Sequence, residues 1–450
     1  LKAQKQTCIV VLPGARPSVA AHTETNVFEY VDPSDQKGLE KLIQQSAGKT
    51  KTLNGILYLW GLDEKLQDEA SPQQLSALTP LGLIQALIKD NLSIDTHLWL
   101  FTQGAYSVAN DQHALRVEQT PLWGLGLSTM LERPELSCVC IDLDPHDSSE
   151  LDTAKQVLRS LTSATQESRS AWRSDQRYVA RLSKTAATAI STSHATIHKG
   201  QTYLLTGATG GLGLATAQWL IDQGADHLLL LSRKSGKPEA QQRIDAWKEQ
   251  GIHVTQHFVD TADLHALSQV ILTAQQQLPE ITGIVHCAGV LDDHLIEDLS
   301  VESFEKVFSG KARGAWNLHT LTQARPLDFF VLFSSAASIL GNRGQANYAA
   351  ANAYLDGVAQ RRHQLGLKAT SINWGPWAEV GMAQSDVAIT QHLKRQGFAP
   401  ITPELGLEAL SLCIASTEPQ LSVVECDWDQ YLVSSEASSH FLSQLVRAEK

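Results

Sequence analysis

The sequence predicts an α/β fold built on a doubly wound parallel sheet, and three features carry that prediction. Short β-branched or Leu-rich runs alternate with helix-length amphipathic segments along the whole chain, the pattern of βαβ units. A Gly-rich turn, TGATGGLG (206–213), directly follows one apolar run and directly precedes a helical one. The chain has 450 residues, and single cores stop growing at roughly 250–300, so two units are expected.

In chain order, the first half offers strand runs at 7–14, 26–32, 53–61, 96–107, 136–144 and 177–182. It reads as a shorter copy of the second half. LNGILYLWGLDE against ITGIVHCAGVLDD, and THLWLFTQGAYS against DFFVLFSSAAS, fall in the same order with similar spacing, roughly 200 residues apart. The small, polar stretch SKTAATAISTSHATIHKG (183–200) has no sustained period and reads as a linker or an irregular strand. Seven runs follow at 201–207, 227–233, 253–260, 281–289, 328–335, 368–374 and 421–428, a number that suits one doubly wound sheet. The expected division is 1–190 for a first unit, 191–436 for a second and 437–450 for a C-terminal linker.

Composition narrows the function. Lys and Arg number 36 against 48 Asp and Glu, a net charge of −12 that repels phosphate backbones and anionic lipid surfaces. Neither nucleic acid nor membrane is an expected partner. Six cysteines show no metal-ligand spacing and are too sparse for a disulfide scaffold, so no metal is expected and a reducing cytoplasm fits. The apolar stretches are strand-length, and the N-terminus LKAQKQT has no signal-peptide core. With Leu1 first and only Met130 and Met382 present, the sequence reads as a piece of a longer polypeptide.

The Gly-rich turn is the first candidate site. Thr206, Gly207, Thr209, Gly210, Gly211, Leu212 and Gly213 stand between the strand TYLL and a helix whose stripe is Leu214, Ala217 and Leu220/Ile221. Glycines allow positive φ and close backbone approach, and a helix N-terminus offers unpaired N–H groups to a pyrophosphate. The next strand ends in Ser232-Arg233-Lys234, where an NAD site ordinarily carries a carboxylate, so the basic pair favours the 2′-phosphate of NADP. Asp260 ends the third strand, placed either to accept from the adenine amino group or to cap a helix. LPGARPS (12–18), the corresponding place in the first half, has one glycine and two prolines and is expected to hold no cofactor.

The second candidate site transfers a proton. Ser335 lies at a strand end and Tyr348 at the start of a helix, with Asn352 one turn on along the same face. A tyrosine with its ordinary pKa near 10 needs a nearby cation to move a proton usefully at neutral pH. Val307, Lys311, Ala315 and Leu318 form one stripe at helical spacing, and a lysine on a buried stripe must be paired or functional.

These motifs, with KARGAWNLH, FSSAAS, GQANYAAANAYLD and NWGPW…GM, resemble the ketoreductase domain of a modular type I polyketide synthase, in the short-chain dehydrogenase/reductase superfamily. The resemblance covers essentially the whole chain. It implies a degenerate, Rossmann-like structural first half, marked by PLWGLG (121–126) and IDLD (141–144), and a catalytic second half. It makes Tyr348 the proton donor, Ser335 a hydrogen-bond donor to the substrate carbonyl, Lys311 the cation that lowers the tyrosine pKa, and Asn352 a polar support. Ordinary short-chain reductases carry Tyr-x-x-x-Lys, whereas Asn352 stands here, the exchanged arrangement of polyketide ketoreductases. Ala288 and Gly289 join the cofactor set. The implied reaction is NADPH-dependent reduction of a β-ketoacyl thioester on the phosphopantetheine of an acyl carrier protein, beside neighbouring domains of the same synthase. Leu291-Asp292-Asp293 matches the B-type motif, Leu340 stands where the A-type has Trp, and Gln345 lies among the substrate contacts, which implies the D-configured, 3R alcohol. Ala350, where the epimerising type has Pro, implies no epimerisation.

The segment 373–402 suits a lid over the nicotinamide and acyl arm, mobile without ligand, with Trp377 and Met382 touching the substrate. Arg361-Arg362 and Lys394-Arg395 are candidate basic patches for an acidic carrier protein. Two alternatives are a non-catalytic structural ketoreductase domain and a short-chain reductase or epimerase acting on a free small molecule.

Overall fold

A computed structural model of the chain describes residues 8–14, 26–50, 53–63, 66, 70–89, 96–108, 111, 113–146, 149–163, 166–185, 196–378, 387–434 and 440–446. Strands β1 (Cys8–Pro13) and β2 (Asn26–Val31) form a parallel pair of their own. Five more make the first large sheet, in the order β3 (Gly55–Tyr58), β4 (His97–Gln103), β5 (Val139–Leu143), β6 (Arg169–Arg173) and β7 (Gln176–Val179). All but the last pair run parallel; β6 and β7 form a hairpin turned by Ser174 and Asp175, both at positive φ, as a two-residue hairpin loop requires.

The second half supplies β8 (Thr202–Thr206), β9 (His227–Ser232), β10 (His253–Phe258), β11 (Ile281–His286), β12 (Phe329–Ser335), β13 (Thr370–Trp374), β14 (Phe398–Ala399), β15 (Gln420–Val423) and β16 (Glu425–Cys426). Seven of these make one wholly parallel sheet, ordered β10-β9-β8-β11-β12-β13-β15. The order reverses between β8 and β11, and at such a switch point an open α/β sheet takes its ligand. The expected α/β architecture with two Rossmann-like units is therefore the one observed.

Local differences have physical causes. Strand β6, RSAWR, is absent from the expected runs because two of its five residues are arginines, yet every residue in it is buried. Arg169 stacks 3.7 Å from the Phe441 ring, and Arg173 is ion-paired to Asp142 and Asp111. The run 421–428 splits at Val424, and its second part pairs antiparallel with β14. The helix around Lys311 is not continuous either: Val301–Phe308 passes through a π-helical turn, Ser309–Arg313, into Gly314–Thr322.

The two halves share one core. Leu98, Leu122, Leu125 and Cys140 of the first pack in the same cluster as Ile296, Phe304, Val307, Ala350 and Ala351 of the second. The helix Pro121–Glu132, which follows β4, lies against the helix Ala346–Gln364, which follows β12. A Cβ on Gly124 would stand 2.5 Å from the backbone carbonyl of Ala349, so only glycine permits this approach. Within the stretch expected to be a C-terminal linker, Phe441 and Leu442 are buried beside Leu340 and Leu182, and Leu182 N–H donates to Phe441 O. All six cysteines are free thiols. Among the described residues no helix is long and apolar enough to cross a membrane.

Candidate active site

Strand β8 leads into the Gly-rich turn and then into the helix Gly211–Asp222. Its cap residue, Gly210, offers no side-chain oxygen, so the first N–H groups of that helix are left for an anion. Gly207 sits at φ +63, and a Cβ there would meet the Ala288 backbone at 2.8 Å. A Cβ on Gly213 would come within 2.4 Å of Gly207 O. At these two positions the turn packs backbone against backbone more closely than any Cβ allows, which is the tight turn that a dinucleotide pyrophosphate site uses. Thr209 packs beside Gly236, while Gly210 and Gly211 are exposed. At the end of β9, Ser232 Oγ donates to Lys234 O, and Arg233 and Lys234 are exposed. Asp260 Oδ1 accepts from Ala262 N–H, which serves the turn before the helix Leu264–Gln277.

A cavity of about 370 Å³ opens beside this turn. Its lining brings together Leu212, Lys311, Ser335, Tyr348, Leu340, Gln345, Leu291, Asp293 and Trp377 from the expected residues. Lys311 is buried, and its ammonium donates to Phe333 O at 2.8 Å. The same nitrogen lies 5.3 Å from the centroid of the Tyr348 ring and 3.3 Å from where a Gly289 Cβ would stand. Burial brings the Lys311 pKa down to about 8. The stripe expected for its helix is intact, since Val307, Ala315 and Leu318 are fully buried, but the π turn is what carries Lys311 itself. Such turns recur at functional sites because the extra residue re-aims a side chain.

Burial pushes Tyr348 up to about 12, while hydrogen bonding with Asn352 and Ser335 works the other way. Lys311 makes no direct bond to the phenol in this state. Asn352, fully buried, donates from Nδ2 to Tyr348 O at 2.8 Å and leaves Oδ1 without a partner. Ser335 Oγ accepts from Ala337 N–H at 3.2 Å and also interacts with the Tyr348 phenol.

Several supporting residues carry no distinctive local signal. His286 ends β11, where its Nδ1 meets Thr206 Oγ1 at 2.7 Å and its Nε2 meets Lys311 O at 2.9 Å. The carbonyl only accepts, so Nε2 holds the ring proton, and burial keeps the ring neutral with a pKa near 3. This histidine ties the nucleotide strand to the lysine turn. Glu132 reaches from the first half, accepting from Ile296 N–H at 2.8 Å and Gly344 N–H at 2.9 Å. It thereby holds the two loops that carry Asp293 and Gln345, themselves joined by a 2.8 Å bond. Asn347 donates to Asp292 O and accepts from Tyr348 N–H, fixing the loop to the helix start. Below, buried Asp356 accepts from Ser338, Ser371 and Asn373, and burial raises its pKa to about 6.

Not every expected residue converges. The Asp292 carboxylate turns to Lys306 and His294. Trp377 lines the cavity but is also a core residue, 4.9 Å from Trp374 and pressed onto Gly406. Met382 and positions 379–386 of the lid segment lie outside the described residues. Arg362 corrects the expected basic patch at 361–362: it is fully buried, 4.1 Å from the Phe330 ring, and donates to Lys368 O. Its place on the inner face of a helix packed on β12 overrides its charge.

Comparison with known proteins adds the family. Residues 201–379 match the KR domain, and residues 11–182 match the Rossmann fold domain of polyketide synthase extender module SpnB. Polyketide synthase GfsA of Streptomyces halstedii is 34% identical over 93% of the chain, and pikromycin polyketide synthase component PikAIII of Streptomyces venezuelae is 34% identical over 92%. The chain spans only 6% and 25% of these relatives. Among solved structures, A-type ketoreductases from a modular polyketide synthase match at 31% identity with a TM-score of 0.84, covering 94% of this chain and 88% of that one. An A1-type ketoreductase matches at 30% with a TM-score of 0.83, covering 97% and 93%. Likeness at this level across both halves, in sequence and in fold, shows that the chain belongs to the ketoreductases of modular polyketide synthases.

Proposed function

We propose that the chain reduces a β-ketoacyl thioester, carried on the phosphopantetheine of an acyl carrier protein, to the D-configured, 3R, β-hydroxyacyl thioester, with NADPH as reductant and without α-epimerisation. The observation that carries this reading is the convergence of Ser335, Tyr348 and buried Lys311 on one cavity that also reaches Leu212 of the Gly-rich turn. The turn and the N-terminus of Gly211–Asp222 would hold the pyrophosphate, and Arg233 with Lys234 the 2′-phosphate. The chemistry NADPH would supply there when bound is a hydride for the carbonyl carbon.

The chain's own residues handle the oxygen. Ser335 donates its hydroxyl to the carbonyl oxygen and fixes the ketone's orientation. Tyr348 then delivers the proton: its O–H bond breaks as the product O–H forms. A phenol near pKa 12 is still a far stronger acid than an aliphatic hydroxyl, which resembles water at roughly 16, so transfer to the alkoxide is downhill. The phenolate left behind is disfavoured by burial, and the Lys311 ammonium, 5.3 Å from the ring centroid, offsets that cost. Asn352 steadies the helix turn under Tyr348 through its bond to Tyr348 O.

Stereocontrol is assigned to the loop Leu291-Asp292-Asp293 and to Leu340, with Ala350 in place of the epimerising proline. In support, Leu291, Asp293 and Leu340 line the cavity, and Asp293 fixes Gln345 beside Tyr348. The carrier protein and adjoining synthase domains are the proposed partners.

The test is NADPH oxidation with a β-ketoacyl thioester surrogate. Tyr348→Phe is expected to lose at least ~100-fold in kcat while keeping NADPH binding. Full activity in that variant overturns the assigned chemistry, and chiral analysis showing the L-alcohol overturns the stereochemical assignment.

A further inference from the structure

A second group of chemistry-bearing side chains lies in the first half, away from Tyr348. Asp111 and His113 follow β4 and His146 follows β5, so all three sit beyond the carboxyl ends of neighbouring parallel strands. Open α/β sheets take ligands at that edge. Asp111 Oδ1, His113 Nδ1 and His146 Nε2 all lie within 4.8 Å of one another. The carboxylate oxygen is 2.6 Å from His113 Nδ1 and 3.3 Å from His146 Nε2.

His113 makes the group unusual. Its Nε2 stands 3.1 Å from Gly104 O, which can only accept, so Nε2 carries the ring proton. In the neutral ring Nδ1 is then a lone pair. That side chain is only 5% exposed, and its Nδ1 has no hydrogen-bond partner although an Asp111 oxygen, another lone-pair donor, lies beside it. Two buried acceptors this close need a cation between them. A proton on Nδ1 can fill that role for the pair, but only a metal ion also engages His146 Nε2, 3.3 Å from the same oxygen. A metal ion can take both lone pairs along converging directions and recruit His146 as a third ligand.

The surroundings match a metal centre. Ligating histidines commonly donate their other N–H to a backbone carbonyl, as His113 does to Gly104, and ligating carboxylates are themselves hydrogen-bonded. Here the second Asp111 oxygen is held by Arg173, which is anchored in turn on Asp142. The His146 side chain is 60% exposed, giving an ion a way in and leaving positions for water. Two imidazoles and one carboxylate suit a borderline dication, whereas Mg²⁺ and Ca²⁺ prefer oxygen-only shells.

We propose that Asp111, His113 and His146 form a binding site for a divalent transition-metal ion, Zn²⁺ foremost, that ties the loop after β4 to the loop after β5. The sequence reading expects no metal because it finds no ligand spacing; these three residues meet only through the pairing of β4 with β5. The site stands apart from the proposed reduction and does not depend on it.

Chelator-treated protein titrated with Zn²⁺ by calorimetry, and with Co²⁺ by visible absorption, tests it. Saturable binding of one ion per chain, Co²⁺ bands typical of imidazole ligation and a Zn²⁺-induced rise in Tm are expected. Both His146→Ala and His113→Gln should weaken Zn²⁺ binding at least ~10-fold and abolish the rise in Tm. Should His113→Gln fail to fold, the exposed His146→Ala decides. Wild type without saturable one-to-one binding, or His146→Ala with unchanged affinity, overturns the proposal.

Discussion

Burial governs the acid and the cation of the site in opposite ways, holding Tyr348 neutral with a pKa near 12 and bringing Lys311 down to about 8. The proposed chemistry needs the Lys311 ammonium, which is present below that value and lost above it. The kcat/KM of reduction is therefore expected to be flat on the acid side and to fall as pH rises through about 8, and Lys311→Met, already slow, should show no such inflection. Initial rates across that range check this. The Lys311 contribution to stability runs the other way: the unfolded lysine titrates near 10.5, so this group holds fewer protons in the native state between about 8 and 10.5 and its own contribution grows with pH across that window. The side chains proposed to react were legible as residue types at fixed spacings. His286 and Asp356 were not, because their roles come from partners on other strands: Thr206 and Lys311 for the first, Ser371 and Asn373 for the second.

Periodicity located the helix of Lys311 and its buried stripe, yet the π turn Ser309–Arg313 was invisible to it. One extra residue in a turn shifts the helix phase without changing composition, and the loops around the site show a similar limit. The stretch 291–296 and the stretch 341–345 look independent in sequence but are both held by Glu132, which belongs to the other half of the chain. Glu132→Ala leaves two backbone N–H groups without their acceptor, at a cost of about 1–3 kcal/mol each where they stay dry. Lowered Tm is expected, together with a fall in kcat larger than any change in NADPH affinity, since the loops carry Asp293 and Gln345 rather than the glycines. Glu132→Gln, which keeps one acceptor oxygen, should recover part of both losses. Thermal unfolding and single-turnover kinetics check the pair.

At the scale of the whole molecule the first half is not packed as a separate domain. Among the described residues its β1–β2 pair is not joined to β3, whereas the seven strands of the second sheet are continuous. Its helix Pro121–Glu132 instead supports the helix that carries Tyr348, through the contact of Gly124 with Ala349. Since residues of both halves share one core, unfolding in urea should show a single transition, followed alike by hydrogen exchange in β4 and in β12. Gly124→Ala should lower the unfolding free energy by about 1–3 kcal/mol, the usual cost of overpacking, and the urea midpoint with it. Two separate transitions would contradict a shared core. The sequence by itself determined the α/β class, the seven strands of the second sheet and the Gly-rich turn, and it marked Ser335, Lys311, Tyr348 and Asn352 as candidates. Local periodicity and backbone permissiveness encode those features within a few residues. Only the tertiary structure decided the burial of Arg-rich β6 and of Arg362, the clamp by Glu132 and the meeting of Asp111 with His146. Each of these turns on which distant groups satisfy a buried charge, and that is settled when the sheets and helices pack.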